Sequence, residues 1–100
     1  MTLSIDTSDN KKAIIELDGE RFEVRSGLGA GQKVLETVER ILDKKGVKLS
    51  DLTEIKVNTG PGSFTGLKVG VTIANILGYL LKIPVNGKII TKRSFLLPNY

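Results

Sequence analysis

Cysteine and histidine are both missing from this 100-residue sequence. Without cysteine there is no disulfide, no zinc finger and no thiol nucleophile. Without histidine there is no imidazole general base and no histidine-based metal site. No acid–base pair stands out. Asp9, Glu16, Asp18, Glu20 and Glu23 fall in turns or on outward strand positions, and Glu36, Glu39, Arg40 and Asp43 read as one exposed helix face. No catalytic residue and no metal-binding residue is therefore expected. The N-terminus lacks a signal-peptide pattern, because Asp6 comes before an apolar run can develop. The apolar stretch from Leu67 to Ile83 contains Lys68, Thr72 and Asn75 and is short for a bilayer span. No repeat, low-complexity segment or linker to a second domain is visible. These absences predict a single cytoplasmic domain with no membrane association.

What is present fits an ordinary globular chain, with 40% hydrophobic and 26% charged residues. A chain of this length buries on the order of two-thirds of its unfolded surface, enough for a thin core. The net charge of +4 is a mild basic excess. It is compatible with a tRNA or an acidic partner nearby, but the excess is too small to show either and reads first as solubility charge.

Three strands open the chain. Residues 2–6 alternate, with Leu3 and Ile5 on one face. Residues 12–17 form a second strand, and Asp18-Gly19 supplies a two-residue hairpin turn in which glycine tolerates positive φ. Residues 20–25 return with Phe22 and Val24 inward and Arg21, Glu23 and Arg25 outward. Gly27, Gly29 and Gly31 lead into a helix over 32–45, where Val34, Leu35, Val38, Ile41 and Leu42 fall at helical spacing. Gly46 stops it, and Lys44 and Lys45 suit the negative end of its dipole. Ser50-Asp51 begins a short turn, and 54–58 make a fourth strand. A second helix runs over 64–81 with Ser63 as its N-cap. A fifth strand starts at Pro84 and extends toward Ile90, and the tail 91–100 shows no period. The order β-β-β-α-β-α-β predicts an α/β fold, a mixed sheet with helices packed on it.

The segment from Asn58 to Gly70, NTGPGSFTGLKVG, carries the most information. It joins the fourth strand to the second helix through a glycine-rich turn. Such a turn leaves free backbone N–H groups at a helix N-terminus, where phosphates bind. It is neither a Walker A motif nor a dinucleotide fingerprint, and by spacing alone it reads first as a tight strand-to-helix turn. Asp6-Thr7-Ser8 is equally two-sided: it can hold a metal–phosphate group or cap its own turn. Both segments lie at C-terminal ends of strands, where α/β sheets bind ligands. Asp6, Thr7, Ser8, Gly60, Gly62 and Ser63 are therefore the candidate cofactor-binding residues. The second helix repeats Gly62, Gly66, Gly70, Ala74 and Gly78 at a spacing of four, a seam almost bare of side chains. Its other faces are apolar, more than one sheet and one short helix can cover, which predicts an exposed patch of the kind that marks interfaces.

Ile5-Asp6-Thr7-Ser8, Leu49-Ser50-Asp51-Leu52, the block Gly60 to Gly70 and Ile83-Pro84-Val85 together resemble the TsaB (YeaZ) family, over about residues 2–87. The resemblance implies the ribonuclease H-like lobe of an actin-like ATPase (ASKHA) fold. It implies a non-catalytic subunit that binds TsaD and supports threonylcarbamoylation of adenosine 37 in tRNA, with a TsaE-like ATPase as a further partner and indirect tRNA contact. TsaD carries a His-x-x-x-His metal motif on its first helix. The corresponding stretch from Gly29 to Glu36 has no histidine, so transferase or protease activity is not expected here. The family's second lobe would begin where this sequence stops, so no nucleotide held between two lobes of one chain is expected. Leu97-Pro98-Asn99-Tyr100 is similar to a Pro-x-Tyr near the family's C-terminus. No cofactor is expected to bind tightly, ATP or ADP being expected only in complex with the partner. The helix-bundle candidates are Val34, Val38, Ile41, Gly66, Val69, Gly70, Ile73, Ala74 and Leu77, and the same surface is expected to pair as a homodimer when alone. The alternative is a weak nucleotide-binding ASKHA-like domain with ATPase activity, using Asp6, Thr7 and the Gly60–Ser63 loop.

Overall fold

A computed structural model describes residues 1–9, 11–25 and 30–99. Strands β1 (Thr2–Asp6), β2 (Lys12–Leu17) and β3 (Glu20–Arg25) form an antiparallel meander. Helix α1 (Ala30–Lys45) and a 3-10 turn (Leu49–Asp51) lead to β4 (Glu54–Val57), which lies parallel to β1. Helix α2 (Phe64–Leu81) crosses to β5 (Pro84–Val85), parallel to β4, and β6 (Lys88–Ile89) folds back antiparallel. The sheet order is β3-β2-β1-β4-β5-β6.

The expected elements are present, with differences that have local causes. Asp18 and Gly19 both take positive φ, 49° and 86°, as a type I′ turn requires. Asn86 and Gly87 do the same, at 50° and 78°. The fifth strand therefore does not run on to Ile90: Asn-Gly turns it into a second tight hairpin. Helix α1 starts at Ala30, ahead of the predicted 32.

Alternation places Leu3, Ile5, Ala13, Ile15, Leu17, Ile55, Val57 and Val85 in one buried core with the inner sides of both helices. The other face of the sheet carries Thr2, Ser4, Asp6, Glu16, Glu54 and Lys56 and is open. An antiparallel meander tolerates one wet face because every second residue can be polar. By length and composition alone α2 could cross a membrane, with a mean hydropathy of 1.4. Here Leu67, Val71, Ala74 and Leu77 anchor it to the sheet. Full burial of a leucine such as Leu67 contributes about 1.5–3 kcal/mol.

Beyond β6 the chain runs back beside α2 and is tied there by an asparagine. The Asn75 Nδ2 donates to the Leu96 carbonyl at 2.9 Å, and the Leu96 N–H donates to Asn75 Oδ1 at 3.0 Å. The Asn99 N–H then donates to the Thr59 carbonyl. Asn86 uses its amide in the same way, exchanging two 2.9 Å hydrogen bonds with the backbone of Val57. In both places a side-chain amide substitutes for a neighbouring peptide group.

Candidate functional site

The C-terminal ends of β1 and β4 bring Asp6-Thr7-Ser8 and the glycine-rich loop together. The Ser63 N–H donates to the Ser8 carbonyl at 2.7 Å. Gly62 sits so close to Ser8 that a Cβ there would fall 2.6 Å from the Ser8 Cβ. Asp6 caps its own turn: its Oδ1 accepts from the Ser8 N–H at 2.9 Å and the Ser8 hydroxyl at 2.6 Å, and from Asn58 Nδ2 at 3.2 Å. Partial burial pushes this carboxyl up, but the bonds from Ser8 and Asn58, with the Arg21 charge, together outweigh it and hold its pKa below the ordinary carboxylate value.

Thr7 is buried, and its hydroxyl does something else. It donates to the Gly66 carbonyl and accepts from the Gly70 N–H at 3.0 Å. Those two groups are the i and i+4 partners of an undisturbed helix, so the hydroxyl is inserted into the α2 hydrogen-bond ladder. A Cβ on Gly70 would collide with the Thr7 hydroxyl, and one on Gly66 with the Thr7 carbonyl. Further along, Gly78 packs against the side chains of Val85 and Ile90. The bare seam is thus filled from within, by the chain that leaves β1 and by β5 and its successor.

Asp6, Thr7, Ser8, Gly60, Gly62 and Ser63 do cluster, but their groups already serve the fold. Thr7 is locked into α2, Ser63 Oγ caps α2 by accepting from the Gly66 N–H at 3.3 Å, and Gly60 packs against the Asn99 carbonyl. Of the helix-bundle candidates, Val34, Val38, Ile41, Gly70, Ile73, Ala74 and Leu77 are buried in the protomer, and Gly66 and Val69 are half-buried. These side chains pack mainly within the protomer, with Val69 and Ile73 also bordering one surface groove and Ile41 another.

The exposed apolar residues of the two helices are others: Leu35 on α1, and Phe64 (62% exposed), Ile76 (52%), Tyr79 (43%) and Leu80 (67%) on α2. A signal for them was present. Lys68 and Thr72 mark the outward side of α2, and steps of four from them reach Ile76 and Leu80. Beside this stripe, Gly31, Thr65, Lys68, Val69, Thr72 and Ile73 line an almost wholly apolar groove of about 420 Å³ between the two helices. Among the described residues no group of three or more acidic side chains is placed to hold a metal ion.

YeaZ from Pseudomonas aeruginosa superimposes on the chain with a TM-score of 0.71 at 29% identity, over 84% of this chain and 41% of that one. The lobe therefore has the ribonuclease H-like, actin-like ATPase (ASKHA) fold. The family model for TsaD, tRNA N6-adenosine threonylcarbamoyltransferase, matches residues 31–87. The tRNA threonylcarbamoyladenosine biosynthesis protein TsaB of Escherichia coli is 38% identical over 56 residues, which are 56% of this chain and 24% of that protein. The tRNA N6-adenosine threonylcarbamoyltransferase of Nitrosospira multiformis is 37% identical over 76 residues, 73% of this chain and 22% of its own length. The chain belongs to this family, on its TsaB (YeaZ) branch. It spans about a quarter of the length of these curated relatives.

Proposed function

We propose that this chain is a non-catalytic, TsaB-like subunit acting in the cytoplasm. It docks on a TsaD-like protein and supports threonylcarbamoylation of adenosine 37 in tRNA. The observation that carries the reading is the apolar stripe Ile76, Tyr79 and Leu80 left exposed on α2, in a chain whose relatives are named for that modification. Large exposed apolar patches mark interfaces. The lack of histidine in the sequence supports an accessory part over a catalytic one. The partner's helices meet the outward side of α2, with Leu35 of α1 at the margin. When the partner is missing, a second copy takes its place about a two-fold axis, and a TsaE-like ATPase joins the assembled pair. ATP or ADP binds only in that assembly, and tRNA contact is indirect.

The test is co-purification with the TsaD-like protein of the same organism, using the double variant Ile76→Glu/Leu80→Glu. Both positions are solvent-facing, so the fold should survive while capture is lost. Ala74, at 0% exposure, is unsuitable for such a test, because a bulky charge there would unfold the protein. Capture unchanged by the double variant would refute this docking face. A second reading, weak nucleotide binding, draws on the meeting of Asp6–Ser8 with Gly62–Ser63. Calorimetry with ATP and magnesium checks it, and absence of heat at millimolar nucleotide removes it.

A further inference from the structure

The opposite edge of the molecule carries a second surface, unrelated to the α2 stripe. Strand β3 is the edge of the sheet, paired only with β2 among the described residues. The two-residue turn closes on Leu17 and Glu20, so the pairs Leu17–Glu20, Ile15–Phe22 and Ala13–Val24 are those that exchange hydrogen bonds. The N–H and C=O groups of Arg21, Glu23 and Arg25 consequently point away from β2. Next to this edge, β3 and α1 enclose a groove of about 610 Å³. Its floor is apolar: Phe22 and Val24 are half-buried, and Ile41 is buried. Its rim is basic: Arg25, Arg40 and Lys44. The one acid on the rim, Glu23, is engaged by Arg21 at 3.4 Å and Lys12 at 4.0 Å. Among the described residues no carboxylate forms an ion pair with Arg25, Arg40 or Lys44.

We propose that the β3 edge and its groove bind an extended acidic–apolar peptide segment of a protein partner, added as a further strand. The free edge groups supply main-chain hydrogen bonds. Alternate apolar side chains of the peptide reach the floor of Phe22, Val24 and Ile41. Acidic side chains of the peptide meet Arg25, Arg40 and Lys44, of which Arg40 also donates to the Thr37 hydroxyl at 3.4 Å, and this gives the site its choice of sign. An RNA would find the cations but would gain nothing from the apolar floor or the free strand edge. Charges on a sheet edge usually block pairing. Here the strand's own charges are balanced, Glu20 and Glu23 against Arg21 and Arg25, and the positive excess comes from Arg40 and Lys44 across the apolar trough, which discourages a basic strand and favours an acidic one.

The probe is a labelled peptide of about ten residues alternating glutamate and valine, followed by fluorescence anisotropy and by amide chemical shifts on the wild-type chain. Binding with a Kd of roughly 100 μM or tighter is expected, with shifts confined to residues 20–25 and 37–44. Affinity should fall roughly tenfold or more in Arg40→Glu/Lys44→Glu, and on raising salt from about 50 to 500 mM. It should also fall in Glu23→Pro, which removes an outward N–H and leaves the bonds to β2 intact. The proposal is overturned by no binding below about 1 mM, by equal binding of a lysine–valine peptide, or by shifts elsewhere. It is overturned too if a single-stranded RNA binds the same residues more tightly, or if the edge pairs with a second copy that Glu23→Pro dissociates. Should the variants fail to fold, the wild-type shift map and the lysine peptide still decide.

Discussion

Replacing Gly70 by alanine tests the central packing contact of this fold. In an ordinary exposed helix the change would stabilise by about 1 kcal/mol through helix propensity. Here the new Cβ collides with the Thr7 hydroxyl, which bridges the Gly66 carbonyl and the Gly70 N–H. Overpacking of this kind costs about 1–3 kcal/mol. Displacing the hydroxyl adds about 1–3 kcal/mol for buried polar groups that lose their partners. After subtracting the propensity gain, the expected loss is about 1–5 kcal/mol, centred near 3. For a domain of this size that corresponds to a fall in Tm of roughly 10–20 °C. Thermal and urea unfolding followed by circular dichroism would measure it. The decisive comparison is a double-mutant cycle with Thr7→Ala. Removing the hydroxyl clears the space and lets the Gly66 carbonyl and the residue-70 N–H close the ladder on each other, so the double variant should recover stability relative to Gly70→Ala alone. If Gly70→Ala is stabilising, or if the two changes add without coupling, the account of the seam is wrong.

Other expectations follow from single contacts. Asn75→Ala should free the tail: the amides of Leu96 and Asn99 should lose hydrogen-exchange protection, with about 1–2 kcal/mol lost in stability from two hydrogen bonds. Asn86→Ala removes the pair of bonds to Val57 and places alanine at φ 50°, so a larger loss of about 2–4 kcal/mol should appear in urea melts. Asp6 has a folded pKa below its unfolded one. Its contribution is therefore complete above the unfolded value of about 4 and is lost as pH falls through the lower folded value. Asp6→Asn should flatten the acid side of the stability profile, and an unchanged acid slope in urea midpoints would contradict this.

Local chemistry wrote much of this protein into its sequence. The Asp18-Gly19 turn, the inward alternation of Leu3 and Ile5, the Ser63 cap and the lysines closing α1 all depend on residues within a few positions of one another. Asn86-Gly87 carries the same kind of turn signal, which the expectation of one fifth strand running toward Ile90 passed over. The family resemblance was also carried by contiguous residues, Gly60 to Gly70 above all. What fills the glycine seam was not legible, because Thr7 and Gly70 meet across 63 residues of chain. A bare stripe on a helix announces a close approach but not the identity of the approaching chain. The tail showed no period because its anchor is a side chain of α2, not its own pattern. On α2 only Lys68 and Thr72 hinted at the outward side; that Ile76 and Leu80 continue it was decided when the sheet, Thr7 and the tail had claimed the other faces. Periodicity and turn chemistry are properties of neighbours in sequence; occupancy of a surface is a property of neighbours in space.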